Sequence, residues 1–361
     1  MPSTVPLSKG PAVHAALESL GWHDALTASF EPLSLTHTPA RVGRVDRGAV
    51  DALVATEDDD LACVRARCRP GEVPAVGDWV ALSADSSGST VDVVLPRRTA
   101  IERAVASGRS EAQVLAANVD VVLIVVPAFP EPKAGMVERM IALSWESGAT
   151  PVIVLTKSDL TDEAEAIAAD LADAAPGVDV VAVSAVAPGG LAALLPYVVA
   201  GRTLCLLGRS GAGKSTIANA LADADLLDTG DIRRDGKGRH TTTHRELIVL
   251  PQGGVLLDTP GLRGAGLWVG DGGLQHAFAD VEGLVEQCRF TDCAHESEPG
   301  CAVLLAVDRG ELPERRLESW RKLQREARWI AGRTDARLRA EQRRQWKQIH
   351  QEVRRSGRIR P

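Results

Sequence analysis

Long hydrophobic runs are missing from this chain of 361 residues. The longest, Val121 to Val126, falls far short of the ~20 apolar residues a membrane-spanning helix needs, so no such helix and no membrane partner are expected. The amino-terminal stretch has neither the basic start nor the apolar centre of a secretory leader, and Ala12 to Phe30 reads instead as a short helix ending near Gly21-Trp22. Cysteine is scarce. Six residues, with Cys63, Cys68 and Cys205 scattered, are too few for a disulfide framework, and free thiols fit the reducing cytoplasm. Internal repeats and low-complexity segments are also absent. What remains, 45% hydrophobic and 25% charged, has the composition of a soluble protein that can bury cores for two or three domains.

Against that plain background stands Gly208-Arg209-Ser210-Gly211-Ala212-Gly213-Lys214-Ser215, followed by Thr216. It matches G-x-x-x-x-G-K-[ST] in the place its physics requires. Arg202 to Leu207 before it reads as a buried strand, and Thr216 to Leu221 after it as the first turns of a helix. The glycines let backbone amides turn inward on phosphate oxygens, Lys214 brings a point charge to the β and γ phosphates, and the Ser215 hydroxyl can hold magnesium. Alone, the segment could be a glycine-rich turn. A second motif argues otherwise: Gly254 to Asp258 is a hydrophobic strand that runs into Asp258-Thr259-Pro260-Gly261. Asp258 can hold magnesium through water, and the Gly261 amide can sense a γ-phosphate. The pair makes nucleoside triphosphate hydrolysis the expected chemistry.

Base identity comes from an element in an unusual place. Pro151 to Leu155 is a β-branched run that delivers Thr156-Lys157-Ser158-Asp159 at its carboxyl end, about fifty residues before the phosphate loop rather than after it. A carboxylate at Asp159 can accept from both N1-H and N2-H of guanine, a donor pair that adenine lacks, so GTP is expected over ATP. Thr156 stands where Asn is usual, which puts in question the hydrogen bonds that brace the loop. Val180 to Ala185 reads as a further strand ending in Ser184-Ala185, which can pack beside the base. The inverted order implies a circularly permuted GTPase.

The segment Gly230 to Thr243 is rich in Gly, Asp and Lys, and Thr242 is our choice for a second magnesium hydroxyl. It leads into a strand expected at Glu246 to Leu250. A Gln just after D-x-x-G commonly orients the attacking water; here Leu262 takes that place, so intrinsic hydrolysis should be slow. His240 is the candidate substitute catalytic group beside Lys214; the alternative is that it caps a strand or contacts a partner.

A second centre is Cys288-Arg289-Phe290-Thr291-Asp292-Cys293-Ala294-His295, completed by Cys301. Three thiolates and one imidazole suffice for one structural tetrahedral zinc with no open position. A helix from Gly273 to Val285 is expected to lead into it. From Glu314 to the last residue, sixteen Lys and Arg face six Asp and Glu in a chain whose net charge is −7. That polarity fits a polyanionic partner met by residues such as Arg321, Arg325, Arg328, Arg337, Arg339, Arg343, Arg344 and Lys347, with Trp320, Trp329 and Trp346 as a stacking side. The plainer alternative is a solvated basic helix docked on its own zinc module. At the other end, Arg41 to Val45, Leu61 to Ala66 and Trp79 to Leu82 are short runs separated by turn signals, which fits a small β-barrel, either an OB-fold or an SH3-like barrel.

In this order the motifs resemble one family over nearly the whole chain, the bacterial ribosome small-subunit-dependent GTPase A family. The resemblance rests on Ala116-Ala117-Asn118-Val119-Asp120, Thr156 to Asp159, Gly208 to Thr216, Gly238 to Thr243, Asp258 to Gly261, and Cys288 to His295 through Glu298-Pro299-Gly300-Cys301. It implies an α/β protein: a helical extension at 1–33, an OB-fold at 34–98, a circularly permuted P-loop GTPase domain at 99–285, and a zinc-binding, mainly helical domain with a basic tail at 286–361. It also implies action late in 30S subunit maturation, binding to 16S rRNA rather than DNA, turnover of GTP with Mg2+ stimulated by the small subunit, and release on hydrolysis. A short link from Leu262 to Gly273 would let the switch tilt the zinc block, and a monomer is expected. Two other readings stay open: an assembly chaperone that senses GTP without meaningful catalysis, and a zinc-dependent metallochaperone GTPase whose partner is not the ribosome.

Overall fold

Period-two burial in the amino-terminal third and continuous burial in the middle third divide the chain into two kinds of sheet. The computed structural model describes residues 15–71, 73–86, 88–103, 113–224, 246–258 and 271–334. Short helices α1 (Ala15–Ser19) and α2 (Asp24–Phe30) precede β1 (Thr38–Asp46), β2 (Ala49–Ala55), β3 (Leu61–Cys68), β4 (Trp79–Asp85) and β5 (Gly88–Val94). Val50, Ala52 and Val54 alternate inward with Ala40, Val42, Ala66, Val80, Leu82 and Val91 to fill the barrel. The ring closes as β1-β2-β3-β5-β4-β1, with β3 and β5 parallel and the other pairs antiparallel. That one parallel pair decides between the two barrels left open by the sequence, because an SH3-like barrel is wholly antiparallel; this is an OB-fold.

The hairpin β6 (Ala100–Arg103) and β7 (Gln113–Ala117) then leads to β8 (Val121–Pro127), α3 (Ala134–Glu146), β9 (Thr150–Thr156), α4 (Ala164–Ala174), β10 (Asp179–Ala182), β11 (Thr203–Leu207) and α5 (Lys214–Ala222). β12 (Glu246–Val249) and β13 (Val255–Asp258) complete the sheet in the order β10-β9-β8-β11-β13-β12, with β12 antiparallel. Strand β8 shows why it is continuous in the sequence: Val122, Ile124 and Val126 face one core while Val121, Leu123 and Val125 face the other. An antiparallel bridge between Arg44 and Glu246 carries the sheet on into the barrel.

After α6 (Asp271–Ala277) and α7 (Ala279–Val285) come α8 (Ala302–Asp308) and α9 (Glu314–Thr334). The amino-terminal helix ends near Gly21 as expected, with α2 following it, and the single helix expected at 273–285 is split in two. The first ends at Gly21, whose positive φ of 96° and close approach to the Gly201 carbonyl suit glycine. The second breaks at Phe278, where the preceding Ala277 carbonyl accepts from Arg316 Nη2 at 2.9 Å and the ring is fully buried.

Two buried arginines join the parts. Arg41 on β1 donates to the carbonyls of Leu20 and Asn118 and to Thr203 Oγ1 at the start of β11. Beside it, Asn118 Nδ2 donates to Gly77 O at 3.0 Å while its Oδ1 accepts from Arg98 N at 3.0 Å. Gly77 has φ 88°, and a Cβ there would lie 2.3 Å from Ala117 O, so only glycine fits this seam. At the opposite junction Arg316 on α9 reaches Asp280 at 2.6 and 2.7 Å, Glu138 on α3 at 3.1 Å and Ala174 O at 2.9 Å, with its guanidinium over the Phe278 ring.

Candidate nucleotide site and metal centre

Parallel strands all deliver their carboxyl ends to one edge of the sheet, and that edge undoes the inverted order of the sequence. The phosphate loop follows β11, Asp258 ends β13, Thr156 ends β9 and Ser184-Ala185 lies just past β10. Strand β10 stops at Ala182 rather than continuing through Ala185, so the last residues form the loop instead. Gly208 lies so close to β8 that a Cβ would sit 2.3 Å from Val125 O, and Gly213 caps α5 with φ 98°. The start of α5 therefore presents the backbone amides that an anion seeks. Lys214 Nζ lies over the mouth of the loop, 3.0 Å from Gly208 O and 2.8 Å from Arg209 O.

The replacement of Asn by Thr156 leaves the brace intact. Its buried hydroxyl lies 2.6 Å from Ala212 O in the phosphate loop and 3.3 Å from Val126 O; the shorter contact takes the proton. Lys157 adds a second stitch, Nζ to Gly211 O at 3.0 Å, from a left-handed backbone with φ 59°. Ser158 N donates to Val183 O at 3.3 Å and ties the base loop to its neighbour, while Asp159 is exposed beyond it. Ser184 Oγ accepts from Ala187 N at 3.3 Å and shapes the next loop. Ser210 and Arg209 are exposed, and Ser215 and Thr216 are half-buried in the first turn of α5.

Asp258 is the magnesium candidate that can be located with Ser215. Burial raises its carboxyl pKa, Lys214 opposes that rise, and Glu246 adds to it. Ser215 and Asp258 supply hard oxygen donors suited to Mg2+. His240, Thr242, Gly261 and Leu262 lie outside the described residues.

The Cys288, Cys293, His295 and Cys301 donor atoms lie within 4.8 Å of one another. His295 Nδ1 is 3.5 Å from the sulfurs of both Cys288 and Cys301, which are 3.9 Å apart. A tetrahedron with Zn–S of ~2.3 Å and Zn–N of ~2.0 Å has edges of this length. Burial opposes ionisation of Cys288, yet the N–H groups of Ala302 and Val303 and the adjacent sulfurs hold its thiol below the ordinary value. Burial and the same crowding push Cys293 up to about 11. Three thiols cannot all shed protons at such distances without a cation, so the donor set fits a metal ion. Glu298 stiffens the knuckle: its carboxylate accepts from Ala294, Glu296 and Ser297 N–H groups at 2.8 to 3.0 Å, which hold its pKa down to about 2.

Part of the expected basic face turns inward. Trp320 is buried, edge-on to the His295 ring, with its Nε1 donating to Glu282 at 2.9 Å. Arg321 donates to the His295 carbonyl. Both serve the docked-helix alternative, whereas Lys322, Arg325, Arg328 and Trp329 are exposed. The remaining tail residues, Arg337, Arg339, Arg343, Arg344, Trp346 and Lys347, lie outside the described residues. Arg41, Asn118 and Arg316 were not singled out as functional by the sequence; only Asn118 carried a signal, as part of the motif before β8.

The family model described as RsgA GTPase matches residues 94–268. A Streptomyces coelicolor protein named small ribosomal subunit biogenesis GTPase RsgA is 51% identical over 342 residues, covering 92% of this chain and 93% of that protein. A protein of the same name from Opitutus terrae is 41% identical, covering 95% and 98% respectively. Among solved structures, YjeQ from Thermotoga maritima matches with a TM-score of 0.59 at 25% identity, over 81% of this chain and 98% of that one. YloQ, a circularly permuted GTPase, matches with a TM-score of 0.60 at 26% identity, over 81% and 95%.

Proposed function

This chain belongs to the RsgA GTPase family, and from that premise we propose that it acts late in maturation of the small ribosomal subunit. It is a GTP-hydrolysing enzyme. The observation that carries the reading is the sheet edge at which Thr156 and Lys157 are stitched to Ala212 and Gly211, because it reunites base-reading and phosphate-holding segments that the chain makes in reverse order.

In this reading Thr156 to Asp159 with Ser184 and Ala185 recognise guanine, and Gly208 to Thr216 with Gly261 hold the phosphates. Lys214 stabilises charge at the transferred phosphoryl group, while Ser215, Thr242 and Asp258 would hold Mg2+, which supplies electrostatic stabilisation when bound. Leu262 cannot orient water, so His240 swings in to do so when the subunit is engaged. Cys288, Cys293, His295 and Cys301 would hold a structural zinc, and Arg321 and Trp320 tie α9 to His295 beside it. The divisions at 1–33, 34–98, 99–285 and 286–361 mark the working parts, with the barrel and the exposed basic side of α9 meeting 16S rRNA. The protein works as a cytoplasmic monomer, without DNA, and leaves the subunit when GTP is hydrolysed.

The test is GTP hydrolysis by the zinc-loaded protein, alone and with isolated 30S subunits, with 50S subunits and ATP as controls. Stimulation confined to GTP and 30S is expected. Equal turnover with and without 30S sinks the ribosomal part of the reading, and equal use of ATP sinks the assignment of the base site.

A further inference from the structure

Three strands place three charged residues in one row. Arg44 of the barrel strand β1 is opposite Glu246 on β12, and Glu246 is opposite Asp258 on β13. Directly opposed residues on antiparallel strands project from the same face, so the three side chains are neighbours across the sheet. The Arg44 Nη1 to Glu246 Oε1 distance is 3.3 Å. Arg44 is also 3.5 Å from Asp46, which Arg65 holds at 2.9 Å, so Arg44 serves Glu246 and Asp46 together. On the far side of the row Asp258 faces Lys214 of the phosphate loop and feels the Glu246 charge directly.

We propose that Glu246 is a positioning residue which, gated by Arg44 of the barrel, sets how strongly the phosphate end of the nucleotide site couples to a divalent cation. With the barrel seated, Arg44 neutralises Glu246, and Asp258 meets the cation with little added negative field. A partner that draws the barrel away from β12 exposes the Glu246 charge. The site then holds the cation more tightly and a bare nucleotide less tightly, so the barrel reports its own occupancy to the phosphate end without touching the nucleotide. The inference rests on the nucleotide-site reading above and adds a residue pair that neither motif contains.

The experiment is the dissociation constant for fluorescent GDP in excess EDTA and in saturating Mg2+, for the full chain carrying Arg44→Gln, Glu246→Gln, or both. The ratio of the two constants measures the coupling. Arg44→Gln should raise that ratio and Glu246→Gln should lower it, each by about two- to fivefold, the order expected of one unit charge acting through a partly solvated surface. The double variant should return to the wild-type ratio. A purely structural pair would move both single variants in the same direction, and that result, or no change in either, overturns the proposal. A wild-type protein that binds no GDP overturns the nucleotide-site reading and this inference together.

Discussion

The two arginines that bolt this molecule together solve the same problem in opposite ways. Each sits in a junction, and each takes the carbonyl that ends a helix, Leu20 for Arg41 and Ala277 for Arg316. Arg41 donates to neutral acceptors and lies over the Trp79 ring, and burial outweighs the more distant carboxylates of Asp120 and Asp78, so its pKa falls to about 10. Arg316 is buried beside Asp280 and Glu138, and these carboxylates outweigh burial and raise its pKa. A cation held by carbonyls can be removed with modest loss, because only neutral groups are left behind. Removing one held by carboxylates strands charge in the interior. On the zinc side the junction is charged and helical, with α6 and α9 both packed on α3; on the barrel side it is neutral and strand-borne.

Substitutions can break this contrast in order of expected effect. Arg316→Met should destabilise the protein by about 3–5 kcal/mol, since Asp280 loses its counter-charge and the buried Glu138 keeps only the half-exposed Arg315 at 3.2 Å; chemical denaturation measures it, and a loss under 1 kcal/mol would erase the distinction. Adding Glu138→Leu to that variant should recover part of the loss, because the buried carboxylate leaves with its partner; a further loss would contradict the charge-stranding account. Arg41→Met should cost only about 1–2 kcal/mol, the order for neutral acceptors left unpaired. Arg44→Ala, at a half-exposed pair, should shift the same curve by less than ~1 kcal/mol.

Legibility followed the range of the forces involved. The phosphate loop, the strands β9, β11 and β13 and the Cys/His spacing were readable because each rests on local periodicity or on a spacing within one short segment. Residues 34–98 read as a barrel, but the choice of OB-fold waited for the parallel contact of β3 with β5, a pairing between strands whose sequence does not name its partner. Thr156 looked like a weakened brace, and its bond to Ala212 spans 56 residues. The end of the first helix near Gly21 was legible because the glycine marks it locally, whereas the break at Phe278 was missed because the group that takes the Ala277 carbonyl sits on α9, far along the chain.

The reversed order of the nucleotide segments also has a consequence in time. A chain made from its amino end completes the barrel strands by Val94 and then β8, β9 and β10, before β11 exists. Until β11 arrives and pairs with Val121 to Ile124, the outer edge of β8 is an apolar strand with bare backbone groups, the kind of edge that recruits other chains. The phosphate loop emerges with the strand that covers this edge, and the bare edge then passes to β11 until β13 pairs with it, so the strand that ends in Asp258 both closes the sheet and completes the nucleotide edge.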